Sequence, residues 1–303
     1  MKDQRLLIAV DVDGTLVNTE LHDGLRGPEI RAAHLVRDAG HILALCTGRS
    51  ARSAERVIRS SGNSLTGVPQ ILLNGALVIN GGDGHILRSG GLEREMVSEL
   101  VQMFREAGTM PMTFDMQEDG GGLRVENSEP NPVLGRYLDL RRTQIGHIDF
   151  CDDLTATIPA ISQEVGTIDL QERAVALADQ VKKRFGDRVW VVSTQTMIER
   201  ETYQWIEVMP PHCNKGTGLE ILAQELGVAK EDTVAIGDNY NDLDMFLVAG
   251  HSVAMGNAPA DVKRSVDRVT AGVADHGAAL ILEEIARGEW PSRQGDGDDT
   301  SNR

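Results

Sequence analysis

Asp11 and Asp13 stand two residues apart in Asp11-Val12-Asp13-Gly14-Thr15, directly after an apolar run at 6–10. Two carboxylates so close at a strand end need a cation or a shared proton to offset their repulsion. One carboxylate can attack phosphorus and form an aspartyl-phosphate. A second, protonated carboxyl can protonate the leaving oxygen and later activate water. Gly14 lets the chain turn sharply and expose backbone to a ligand. The plain alternative is an acidic turn with an aspartate cap. Acids placed here, however, have no structural purpose that Asn or Ser would not serve better.

Three more segments place polar residues just after an apolar run or at a helix start. Thr47-Gly48-Arg49 follows 42–46. A hydroxyl and the backbone N–H groups of a strand-to-helix turn can bind phosphate oxygens, although a simple threonine cap reads the same way. Lys215, in Asn214-Lys215-Gly216, opposes the dipole of the helix it opens and so suggests an anion to bind; a solvated lysine is the alternative. Gly237-Asp238-Asn239-Tyr240-Asn241-Asp242 follows 233–236. Asp238 and Asp242 bring two more acids, as a Mg²⁺ site with oxygen ligands requires, although Asn241 or Asp242 could equally cap a helix.

These segments need a scaffold that gathers them. Apolar runs at 6–10, 42–46 and 71–73 alternate with helical patterns, one opened by Gly27-Pro28-Glu29 and closed by Gly40. That rhythm predicts an α/β fold with a doubly wound, Rossmann-like parallel sheet, whose ligands bind beyond the carboxyl ends of the strands. It stops near Gly81-Gly82-Asp83-Gly84. Residues 84–207 read as an inserted α+β domain, with helices near 92–104 and 170–185 and strands near Thr113, Val125, 189–192 and 205–208. The first rhythm resumes at 208–290. Asp275 is the expected cap of the last helix. The polar tail 291–303 is expected to be disordered.

The formal net charge of −16 argues against nucleic-acid and anionic-membrane partners and makes a local metal attractive for a phosphate substrate. Apolar residues make up 41% of the chain and aromatics 4%, so aliphatic side chains must do most of the packing. Cys46, Cys151 and Cys213 form no disulfide pattern, and a reducing, cytoplasmic setting suits them. The apolar run at 6–10 is too short for a signal segment or a membrane span. His212 and Cys213 lack the partners of a zinc site. Arg136, Arg141 and Arg142 read either as greeting an anionic substrate or as a solvated face.

Jointly, the DxDGT and GDxxND patterns and the order of the four segments resemble the haloacid-dehalogenase-like phosphatases, in particular the Cof-type branch with a type IIB cap inserted between the second and third motifs. The resemblance covers the whole chain except the tail. It implies Asp11 as nucleophile and Asp13 as general acid/base. It implies Thr47 and Gly48 as phosphate holders, Lys215 as the neutralising cation, and Asn241 near phosphate or Lys215. It further implies Mg²⁺ held by Asp11, Asp13 (through its carbonyl) and Asp238, with Asp242 orienting metal-bound water. Asn74 is expected near the site. The implied activity is hydrolysis of a small phosphorylated metabolite, a sugar phosphate foremost. A phosphomutase using the same aspartyl-phosphate, or a non-catalytic phospho-metabolite sensor, is the alternative. The oligomeric state stays open.

Overall fold

The computed structural model describes residues 5–19, 21–22, 24–115, 122–145, 148–196, 199 and 202–291. Its larger sheet has eight strands in the order Arg268–Val269, His251–Ala254, Thr233–Gly237, Leu7–Val10, Ile42–Cys46, Gln70–Leu72, Leu77–Ile79, Ile86–Ser89. The first six are mutually parallel. The expected doubly wound core is therefore present, with an antiparallel hairpin added at one edge. The chain reverses there through Leu73 and Asn74, both left-handed at φ 48°, and Gly75 at φ 98°.

The central strands are apolar throughout because both faces are covered. Ile8, Val10, Leu43 and Ile236 pack on one side with Ala33 and Val36 of helix Gly27–Asp38 and Ile281 and Ile285 of helix Gly277–Ala286. Leu7, Ala9, Ala44 and Ala235 pack on the other with Leu219 and Leu222 of helix Lys215–Leu226 and Met245 and Phe246 of helix Leu243–Val248. Val10 lies level with both Ile236 and Leu45. The segments after these three strands consequently leave the sheet along one edge.

The inserted sheet has six strands, in the order Trp190–Gln195, Tyr203–Met209, Glu164–Leu170, Met112–Asp115, Gly122–Glu126, Asp149–Cys151. Helices Arg94–Glu106 and Gln171–Phe185 cover one face. Helix Pro132–Ile145 lies against the other, with Val133, Leu134 and Leu138 packed on Met112, Val125 and Ile168. Sheet membership differs from the 84–207 boundary read from sequence. Ile86–Ser89 pairs with Leu77–Ile79 in the large sheet, and Val208 and Met209 still pair in the inserted one.

Two local expectations need correction. Asp275 does not cap the last helix: it ends a short 3-10 turn at Val273–Asp275, and left-handed His276 precedes the helix without a side-chain cap. Helix Pro132–Ile145 and strand Glu164–Leu170 stand where no element was expected. The expected disordered tail lies outside the described residues from 292 onward. Among the described residues, no helix is long and apolar enough to cross a membrane.

Candidate active site

Asp11 is the first residue past its strand, and its N–H donates to the Ile236 carbonyl at 2.8 Å. The backbone thereby ties the first and fourth segments together. Lys215 Nζ donates to Asp11 Oδ1 and to Asp242 Oδ1, each at 2.6 Å, and the lysine is fully buried. Burial alone would lower its pKa, but the two carboxylates outweigh burial and hold it well above the ordinary lysine value. Asn214 seats this lysine by capping its helix: its side chain accepts from Thr217 N, and Thr217 Oγ1 accepts in return from Asn214 N.

Asp242 is fully committed. Its Oδ2 accepts from the N–H groups of Asp238 and Asn239 at 2.8 and 2.9 Å. With both oxygens engaged, it anchors Lys215 and the loop. Asp238 accepts from Thr15 Oγ1 at 3.3 Å and from Asn257 Nδ2 at 3.0 Å. Its carboxylate lies against Gly14, where a Cβ would come within 2.4 Å of Oδ2, and Gly14 has φ 83°. Glycine is required there both for the turn and for the close approach.

Carboxylate oxygens of Asp11, Asp238 and Asp242 lie within 4.8 Å of one another, the one such grouping of His, Cys, Asp or Glu among the described residues. His212 and Cys213 belong to no metal-type group there. Burial pushes Asp11 well above the usual carboxylate range; Lys215 pulls against that, and Asp242, Asp238 and Asp13 add to it. Burial, reinforced by Asp242, pushes Asp238 up to about 7. Crowded acids of this kind can hold a metal ion.

Asp13 is held differently. Arg49 donates Nε to Oδ2 at 2.9 Å and Nη2 to Oδ1 at 2.6 Å, a bidentate pair. Burial would raise this carboxyl, but Arg49, with Arg141 and Lys215, brings it below its ordinary value. Thr47 is fully buried, and its hydroxyl accepts from Arg49 N at 3.1 Å. Gly48 lines the cavity above Asp11 and Asp13. Asn241 donates to Asn74 Oδ1 at 3.1 Å, and Asn74 donates onward to Glu207 Oε1 at 3.4 Å, a bridge from the core to the inserted domain.

All this opens into a cavity of about 450 Å³ between the two sheets. The inserted domain supplies its far wall, including Tyr137, Arg141, Glu164, Trp205 and Glu207. Of the three arginines considered from sequence, only Arg141 lines it. Arg136 pairs with Glu199 at 3.0 Å on the surface, and Arg142 sits over the Phe150 ring. Sequence reasoning gave no role to the Arg49 side chain, Asn257, Glu164 or Glu207. Arg49 stood inside a quoted motif. Asn257 follows the strand His251–Ala254 in Met255-Gly256-Asn257, the same strand-end signal used elsewhere.

The model of the family of haloacid dehalogenase-like hydrolases matches residues 8–282. The chain is similar to YxeH of Bacillus subtilis strain 168, at 29% identity over 283 residues covering 92% of this chain and 97% of YxeH. It is also similar to the 5-amino-6-(5-phospho-D-ribitylamino)uracil phosphatase YitU of the same strain, at 26% identity over 94% of this chain and 98% of YitU. Among solved structures, a haloacid dehalogenase-like hydrolase from Bacteroides thetaiotaomicron shares the fold with a TM-score of 0.76 at 24% identity, over 93% of this chain and 99% of that one.

Proposed function

The chain belongs to the haloacid dehalogenase-like hydrolases, and from that premise we propose that it is a phosphatase of small phosphorylated metabolites, sugar phosphates foremost, with Asp11 as nucleophile. The observation that carries this reading is the buried Lys215, held at 2.6 Å from both Asp242 and Asp11, the latter lining the cavity. A fixed cation beside a crowded carboxylate positions that carboxylate and neutralises an arriving phosphoryl group. YitU, by its name, acts on a phosphate carried by a polyol chain, which favours a hydroxyl-rich substrate here.

The donor set suits Mg²⁺. It is made of oxygen alone, and the Asp11 and Asp238 carboxyls are pushed up by burial and by neighbouring acids, which a hard dication would relieve. Asp11, the Asp13 carbonyl and Asp238 would hold the ion, with Asp242 fixing the loop behind them. When bound, it supplies charge neutralisation for the phosphoryl oxygens and the facing acids.

The side chains divide the remaining work. An Asp11 oxygen attacks phosphorus, the ester P–O bond breaks, and the alcohol leaves toward the inserted domain with a proton from Asp13. Water then attacks the aspartyl-phosphate. Its proton goes to Asp13, the Asp11–phosphorus bond breaks, and phosphate departs. The second step needs Asp13 ionised, the state that Arg49 favours. The first step needs it protonated and so requires it to loosen from Arg49. Thr47, Gly48 and Asn241 complete the phosphate cradle.

Phosphate release from p-nitrophenyl phosphate with Mg²⁺ tests the roles. Asp11→Asn should form no phosphoenzyme. Asp13→Asn should still form one, release a burst of nitrophenolate and then turn over slowly, because this leaving group needs little protonation. Greater residual activity in Asp11→Asn than in Asp13→Asn would overturn the assignment.

A further inference from the structure

The far wall of the cavity is rich in hydrogen-bond acceptors. Glu164 and Glu207 stand on neighbouring antiparallel strands, and Gly166 is the residue directly opposite Glu207. Alternation places Glu164, Gly166, Trp205 and Glu207 on one face of the inserted sheet. Gly166 leaves a shallow floor: a Cβ there would lie 3.3 Å from Glu164 Oε1 and 3.8 Å from Trp205 Cζ2. The Glu164 carboxylate and the Trp205 indole therefore converge over the same spot. Tyr137 backs the indole, with ring centroids 4.8 Å apart.

Glu164 lines the cavity but is only 1% exposed, and its buried Oε1 makes no hydrogen bond among the described residues. Glu207 is 8% exposed and is held by Asn74. The cation on this wall, Arg141, already engages the Tyr137 ring at 5.0 Å and Ser53 Oγ at 3.2 Å. The two buried carboxylates share the Arg141 guanidinium, and Lys215 acts on Glu207 alone, so negative charge stays uncompensated at Glu164. Such charge is costly unless a partner arrives.

We infer that Glu164 and Glu207, over the Trp205 face, form a subsite for a primary ammonium group carried by the alcohol part of the substrate. This rests on the phosphatase reading above. An ammonium has three donors and no acceptor, which suits a wall of carboxylate oxygens. It compensates the buried charge, and an indole face adds cation–π attraction. A hydroxyl could satisfy Oε1 but would leave the charge unbalanced. Burial and Glu207 push Glu164 up, and burial pushes Glu207 to about 7, against the Trp205 indole N–H, Lys215 and Arg141. An empty subsite thus tends to take up a proton that an ammonium would replace.

The test compares ω-aminoalkyl phosphates with ω-hydroxyalkyl phosphates of equal chain length, together with glucosamine 6-phosphate against glucose 6-phosphate. At the chain length that reaches the wall, the amino ester should have a kcat/KM at least tenfold higher, the gain of a charge-assisted contact. Glu164→Gln and Glu207→Gln should each bring the ratio toward unity. The ratio within one variant is independent of how much of that variant is folded. A wild-type ratio near or below one at every length overturns the subsite and leaves the phosphatase reading standing. So does a high ratio that both variants retain. Failure to release phosphate from any ester, p-nitrophenyl phosphate included, overturns both.

Discussion

Arg49 grips Asp13 with two hydrogen bonds, at 2.9 and 2.6 Å, while its own backbone N–H is held by the Thr47 hydroxyl at 3.1 Å. The Thr47-Gly48-Arg49 turn thereby fixes the orientation and the ionised state of the proposed acid/base. Arg49→Ala should leave Asp13 mobile and, with burial no longer opposed, more often protonated, so that less of the enzyme holds the oriented, ionised base that phosphoenzyme breakdown needs. With p-nitrophenyl phosphate, breakdown should slow about 10- to 100-fold, within the range general-base catalysis contributes. Formation should slow less. Stopped-flow traces should show a nitrophenolate burst larger than that of the wild type; unchanged traces would remove Arg49 from this role.

Lys215 is buried between two carboxylates with both contacts at 2.6 Å. Lys215→Met leaves those acids without their cation. Breaking a buried pair from one side costs about 3–5 kcal/mol, so urea denaturation should show a loss of that order. All esters should lose activity together, since each shares the phosphoryl group. If Asp11 and Asp238 hold Mg²⁺ as proposed, the ion should raise the melting temperature of the wild type, because only the folded chain brings those acids together. Asp238→Asn should lose that rise, and chelation should abolish phosphate release from the wild type. Full activity after exhaustive chelation would refute the metal assignment.

Glu207 has a pH signature of its own. Burial raises its carboxyl from 4.5 to about 7 in the fold. Between those values the folded chain binds more protons than the unfolded one, so stability falls as pH rises from about 4.5 and levels off above about 7. The contribution amounts to roughly 3 kcal/mol. Glu207→Gln removes it. The variant should therefore gain on the wild type between pH 5 and pH 8 in denaturant melts, while other raised acids such as Asp238 cancel in the comparison. Equal slopes for both proteins would mean that Glu207 titrates normally.

The core of the site was legible in the sequence because strand ends announce themselves. Asp11, Thr47 and Asp238 each follow a short apolar run, and a parallel sheet gathers such positions without further information. The inserted wall was not legible. Strand Glu164–Leu170 is buried at every position but its last, so it shows no alternation, and its glutamate looks misplaced until pairing brings Glu207 near it. Helix Pro132–Ile145 is interrupted by Gly135 and crowded with arginines. A usable start signal was present in Asn131-Pro132, whose asparagine Oδ1 accepts from Val133 N and Leu134 N. Arg141 and Arg142 are adjacent in sequence, yet helical rotation sends one into the cavity and the other onto Phe150.

The contacts that hold the inserted domain against the core suggest how closure is set. Helix Ala51–Ser60 follows the Thr47-Gly48-Arg49 turn, and two of its residues meet helix Pro132–Ile145. Ser53 Oγ accepts from Arg141 at 3.2 Å, and Arg56 Nη1 donates to the Thr143 carbonyl at 2.9 Å. The first contact lies on the cavity wall; the second does not line it. Arg56→Ala should therefore weaken the seating of the inserted domain on the core without changing a residue that lines the cavity. Closure matters most for esters whose alcohol part reaches the inserted domain, since those contacts exist only when the wall is in place. Loss of the contact to Thr143 should raise KM for such esters about 3- to 10-fold. p-Nitrophenyl phosphate, whose small ring asks less of the wall, should change little. A uniform loss across all substrates would instead mean that the helix contact supports the catalytic turn itself.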